Sequence, residues 1–223
     1  MIKEMIKNLL SLPSSFWDEY AFGNELLRNK ISPEEKKEFT EKAHQCGKDL
    51  AEEILCDNPA MSPSSLANSL GLNVSYIDEP TSSEYVMFAC FNEPNNVRIL
   101  NDIIEKAKII IRDNNLYELL CHANIGEVLM AHEIYHYLEY KMPTIYTNRK
   151  LLTLWTLGKF KYKSNVLCLN EIGAMAFTQK LLDLPYSPYI FDLLLLYTQN
   201  KQMARKLYEN IMDLSNEKEV INQ

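Results

Sequence analysis

The chain has 223 residues, a formal net charge of −7 and 47 % hydrophobic residues, which suits one or two globular domains. Six glycines and nine prolines exclude a collagen-like or low-complexity chain. The acidic balance argues against direct nucleic-acid binding, which needs clustered Lys and Arg.

No run of about 18 apolar residues occurs, so no membrane-spanning helix is expected. At the N-terminus, Glu4 and Lys7 interrupt an apolar piece too short for a signal-peptide core. Cys46, Cys56, Cys90, Cys121 and Cys168 are odd in number, spread out and without a CxxC pair. They read as reduced thiols of a cytoplasmic protein, not as a zinc site.

Residues 1–30 read as helical with breaks at Pro13 and Gly23. Ser32-Pro33-Glu34-Glu35 is a helix start, with Ser32 as N-cap and Glu35 closing a capping box. That helix is expected to run to about Cys56, with Phe39, Ala43, Cys46, Leu50 and Ile54 on one face. A short helix over Ser62–Leu70, stopped by Gly71, leads to a strand over Asn73–Ile77. Tyr85–Phe91 and Val97–Leu100 flank a turn cluster and read as a hairpin. Asp102 is expected to cap a helix ending at Asn114-Asn115. A long helical pattern then resumes and passes through Glu127 to Tyr140, until Pro143 stops it. Leu151–Thr156 and Lys159–Lys163 flank Leu157-Gly158 as a second hairpin. From Val166 the chain reads as helical, broken between Pro185 and Pro188. The expected fold is α+β and mainly α, with a small twisted sheet packed against helices. Residues 1–44 read as a helical N-terminal extension, and 45–223 as one compact unit.

Ala131-His132-Glu133-Ile134-Tyr135-His136 carries the chemistry, because it contains H-E-x-x-H. Residues four apart share a helix face, so both imidazoles reach one cation. Glu133 is turned by about 100° and stands beside the ion, where it can take a proton from water. Two of the chain's four histidines are in this pentapeptide.

Catalytic zinc takes three protein ligands and keeps a fourth position for water. Glu139 lies about 10 Å along the helix axis from His132, too far to converge on the same ion. Glu171 is the favoured third ligand. It sits 35 residues after His136, beside Gly173, Ala174 and Ala176, which allow two helices to approach closely. His122 and His44 are rivals: His122 belongs to the same or the preceding helix, and His44 to a distant one. Taken alone, Glu171 would read as a solvent-facing helix glutamate.

HExxH followed by E-x-x-A-x-x-F-x-x-x-L-L-x-x-P, here His132, Glu133, His136, Glu171, Ala174, Phe177, Leu181, Leu182 and Pro185, resembles the ImmA/IrrE family of metallopeptidase-like proteins. Residues 65–72, followed by a strand, resemble that family's entry. The likeness covers roughly residues 45–190. Family members often carry Asn where this chain has Met175, and Pro185 falls one residue late.

The resemblance implies a zincin-like fold with a gluzincin-type site. His132, His136 and Glu171 would bind one Zn²⁺, and Glu133 would be the catalytic base. It also implies a peptide or protein substrate, with a helix-turn-helix repressor as the candidate partner. A further oxyanion donor among Tyr135, Tyr137, Tyr140, Tyr186 and Tyr189 stays open. Two other readings are a non-catalytic metal-binding protein that sequesters a regulator, and a zinc hydrolase acting on a non-peptide amide.

Overall fold

The computed structural model describes residues 1–23, 25–78, 88–157 and 160–221. α1 (Ile2–Leu10) buries Ile2, Met5, Ile6 and Leu9, an i, i+3, i+4, i+7 stripe. Pro13 separates it from α2 (Ser14–Gly23), which buries Phe16, Trp17, Ala21 and Phe22. α3 (Pro33–Asp57) starts at the expected capping box. Glu35 N donates to Ser32 Oγ at 3.2 Å, and Ser32 N donates to Glu35 Oε2 at 3.0 Å.

The buried face of α3 is Phe39, Thr40, Ala43, Gly47 and Ala51. Cys46, Leu50 and Ile54 are only half-buried. The face is rotated from the expected one because α3 crosses α8 (Cys168–Leu181) at Gly47. A Cβ there would run into the Gly173 carbonyl and the Phe177 amide, so the two backbones are in near contact. Residue 44 lies inside α3, and α1 and α2 contribute to the same hydrophobic core as the later helices. Residues 1–44 therefore share a core with the rest of the chain.

α4 (Pro63–Ser69) is capped by Ser62 and ends at Gly71, whose φ of +74° is the left-handed turn that glycine accepts. The sheet is mixed, in the order β1-β3-β2. β1 (Asn73–Ile77) pairs parallel with β3 (Asn96–Leu100), with Asn73 opposite Asn96. β2 (Ala89–Asn92) pairs antiparallel with β3, with Phe91 opposite Val97. The hairpin is thus present over Ala89–Leu100, while residues 85–87 of its expected first strand lie outside the described residues. Val97 and Ile99 of the central strand are fully buried.

α5 (Asn101–Asp113) begins one residue before Asp102. Asp102 sits in its first turn and pairs with Lys106 at 2.6 Å, so it is not the cap that was expected.

The next helix is shorter than its pattern suggested. α6 (Ile125–Lys141) starts only after a turn, because Asn115, Cys121 and His122 have φ of 51°, 49° and 57°. No helix continues through such values. Asn124 then caps α6 by accepting from Gly126 N at 3.0 Å.

α7 (Tyr146–Arg149) leads into the antiparallel pair β4 (Leu151–Leu157) and β5 (Phe160–Asn165). The expected turn residue Gly158 lies outside the described residues. α8, α9 (Ile190–Gln199) and α10 (Lys201–Ile221) complete a mainly helical α+β fold. Among the described residues, no helix is long and apolar enough to cross a membrane. All five cysteines are free thiols.

Candidate metal centre

α6 holds the site rigidly because it is buried nearly all round, with Ala131, Ile134 and Tyr135 fully covered. His132 and His136 emerge from its remaining face at the helical spacing that the sequence dictates. Their Nε2 atoms are 3.0 Å apart, and the ring planes stand at 73°.

Glu171, in the first turn of α8, completes the group. Its Oε2 lies 3.3 Å from His132 Nε2, and its Oε1 lies 3.6 Å from His136 Nε2. His132, His136 and Glu171 could hold a metal ion. Ligands at 2.0–2.1 Å in a tetrahedron lie about 3.3 Å from one another. The observed 3.0–3.6 Å spacings fit that geometry.

Three contacts distant in sequence set where α8 lies. Buried Glu25 accepts from Cys168 N at 3.0 Å, so a remote carboxylate satisfies the α8 N-terminus. Gly47 brings α3 against the α8 backbone. On the α6 side, Gly173 leaves room for the Tyr135 hydroxyl, which would collide with any side chain there. The small residues beside Glu171 therefore do what the sequence suggested.

Two carboxylates stand behind the triad. Glu133 is 5 % exposed, and its Oε2 accepts from Phe91 N at 2.6 Å. Leu100 N donates to Phe88 O across the ladder, so the Phe91 N–H points away from β3, towards α6.

Glu139, too far along the helix to be a ligand, is placed behind His136 instead. Its Oε2 lies 3.6 Å from His136 Nδ1, and its Oε1 accepts from Thr147. Thr147 Oγ1 also lies 3.0 Å from the Tyr135 hydroxyl. This is the carboxylate–imidazole arrangement that fixes ring orientation in metal sites. The His-x-x-Glu spacing was the available signal for it.

The electrostatics follow from the same contacts. Burial alone would lower the His132 pKa, but the Glu171 carboxylate, with Glu133 and Asp192, raises it to about 9. The Glu171 side chain is 50 % exposed; partial desolvation would raise its pKa, but the His132 hydrogen bond and the two imidazoles lower it to about 2. In the metal-free protein the pair is an imidazolium facing a carboxylate.

The rival histidines lie elsewhere. His44 Nε2 is 2.6 Å from Asp18 Oδ1, joining α3 to α2. His122 is in the turn before α6, 3.2 Å from Glu118. The tyrosines also separate. Tyr135, Tyr137 and Tyr186 use their hydroxyls on Thr147, the Leu70 carbonyl and the Leu120 carbonyl. Tyr189 lines the cleft with a buried hydroxyl that has no partner among the described residues.

The triad opens into a cleft of about 690 Å³ between α2, β2, α6 and α9. A second cavity of about 480 Å³ lies across Phe91 and His136 and is lined by Glu93, Tyr140 and Asn170. Tyr20 and Asp192 line the main cleft and are joined by a hydrogen bond of 3.1 Å. They are 172 residues apart, and no local pattern in the sequence relates them.

Comparison with family models, with characterised proteins and with solved structures yields no match to this chain.

Proposed function

We propose that the protein is a zinc-dependent peptidase of ImmA/IrrE type with a zincin-like fold, acting in the cytoplasm. The observation that carries this reading is the His132–His136–Glu171 group with Glu133 beside it, in a cleft bordered by a strand edge. Two imidazoles and one carboxylate are the donor set of a catalytic zinc site with an open position.

Zinc held there by His132, His136 and Glu171 would supply Lewis-acid activation of a water and of a carbonyl. The Phe91 N–H orients one oxygen of Glu133, leaving the other free to face the cleft. Glu133 takes the proton of the attacking water and returns it to the leaving amine. Glu139 holds the His136 ring in place.

A peptide is the favoured substrate because β2, which among the described residues pairs with β3 on one side only, borders the cleft. An extended chain can lie along this strand next to the Phe91 N–H that Glu133 holds, and run between the two cavities. A helix-turn-helix repressor is the candidate protein substrate, and the resemblance in the sequence is what suggests it.

The test is cleavage of a peptide mixture and of candidate repressors by zinc-loaded wild type and by Glu133→Gln. The expected result is a loss of about 10²- to 10⁴-fold in the variant with zinc content unchanged. Equal cleavage by both proteins would contradict the role of Glu133. Partners bound but recovered intact from wild type would favour a regulator-sequestering protein.

A further inference from the structure

We propose that the cleft wall formed by Tyr20, Tyr189 and Asp192 is a subsite for a lysine or arginine side chain of the bound peptide. The inference rests on the peptidase reading and adds a substrate class to it.

Apart from the two imidazoles that face the metal position, the charged side chains of the cleft are all acidic. Glu25, Glu133, Glu171 and Asp192 line it, and no Lys or Arg does among the described residues. Three of these carboxylates are already engaged. Glu25 accepts from Leu27 N and Cys168 N, Glu133 accepts from Phe91 N, and Glu171 faces the two imidazoles. Asp192 has a tyrosine hydroxyl instead: Tyr20 donates to its Oδ2 at 3.1 Å. Among the described residues no Lys or Arg pairs with it. Two positive charges of a metal ion offset Glu133 and Glu171 and leave the carboxylates of Glu25 and Asp192 in the same cleft.

Tyr189 supplies an independent observation. It is 7 % exposed, lines the same cleft, and its hydroxyl has no partner among the described residues. Tyr189 packs against Tyr20, the hydrogen-bond partner of Asp192, and lines the same cleft as Asp192 and Glu171. A buried hydroxyl without a partner costs free energy, which a ligand can recover. Its oxygen can accept from an ammonium or guanidinium while Asp192 supplies the counter-charge.

The aromatic setting suits the same guest. The rings of Tyr20 and Tyr189 meet edge to face at 5.3 Å, and Tyr189 stacks on Trp17 at 6.1 Å. Tyr20 is half-buried in the cleft wall, and a tyrosine face there attracts a desolvated cation. Asp192 is half-buried in the cleft wall, where a cation would offset the cost of holding its charge away from water. An anionic side chain would meet uncompensated carboxylates, and a neutral one would leave Asp192 without a counter-charge.

The test uses the full zinc-loaded chain carrying Glu133→Gln, so that peptides stay intact. Binding is read by fluorescence anisotropy for matched peptides with Lys, Arg, Gln or Glu at one position, scanned along the sequence. At one register, Lys and Arg peptides are expected to bind about 10- to 100-fold tighter than Gln and Glu peptides. Adding Asp192→Asn should bring the Lys-to-Gln ratio to within about twofold, with zinc content unchanged. The first comparison needs no change at Asp192, so it stands even if that variant misfolds.

Equal binding of Lys, Gln and Glu peptides would overturn the subsite, as would a basic preference that survives Asp192→Asn. Wild-type cleavage of a peptide mixture runs alongside. Cleavage without a basic preference overturns the subsite and leaves the peptidase reading standing. Basic-selective binding without cleavage keeps the subsite and overturns the peptidase reading.

Discussion

His132 Nε2 and His136 Nε2 face each other at 3.0 Å, closer than two neutral rings would choose without a shared proton or a shared ion. Glu171 closes the triangle from a different helix. Local helix geometry sets the first relationship, and tertiary packing sets the second.

Metal binding should displace a proton. In the metal-free protein His132 has its pKa raised to about 9, so at neutral pH the imidazolium must lose its proton before it can coordinate. Apparent zinc affinity should therefore rise about tenfold per pH unit up to roughly pH 9 and then level off. Calorimetry in buffers of different ionisation enthalpy checks this. A pH-independent affinity between 6 and 8 would contradict it.

The same pair sets the pH profile of the metal-free fold. The folded pKa of His132 lies above its ordinary 6.5, so its contribution is fully present below about 6.5 and is lost as pH rises through about 9. The folded pKa of Glu171 lies below its ordinary 4.5, so its contribution is lost as pH falls from about 4.5 towards 2. The metal-free melting temperature should fall above pH 7, and Glu171→Gln should flatten that decline. Chelated protein melted across pH 5 to 10 gives the comparison.

Glu139→Gln should weaken zinc binding by about 10- to 100-fold while the protein stays folded, because it removes the charge behind His136. Competition with a chromophoric chelator measures the loss. An unchanged affinity would leave Glu139 as a packing residue.

Gly173→Ala should destabilise the fold by about 1–3 kcal/mol, because the added methyl meets the Tyr135 hydroxyl. The melting temperature should drop by several degrees, and zinc affinity should fall with it as α8 moves Glu171 away from the histidines. Chemical denaturation with and without zinc separates the two effects.

Local signals were legible in the sequence. The Ser32–Glu35 capping box, the turn at Gly71 and the HExxH spacing are all decided within a few residues, and the structure keeps them. Glu171 was legible because small residues around an acid suggested a close helix crossing, which Gly47 and Gly173 provide. The start of α6 was misread, since residues 116–124 carry apolar spacing but the backbone turns left-handed at Cys121 and His122.

Longer-range features left no local trace. The parallel pairing of β1 with β3, the reach of Glu25 to the α8 N-terminus and the Tyr20–Asp192 bond join residues from 23 to 172 positions apart, and only the folded core brings them together.

The most direct measurement is anomalous diffraction from crystals of the zinc-loaded protein. A single peak about 2.0–2.1 Å from His132 Nε2, His136 Nε2 and a Glu171 oxygen is the predicted result. Zinc bound at other residues, or a triad still empty at saturating zinc, would contradict the metal centre on which the proposed function rests.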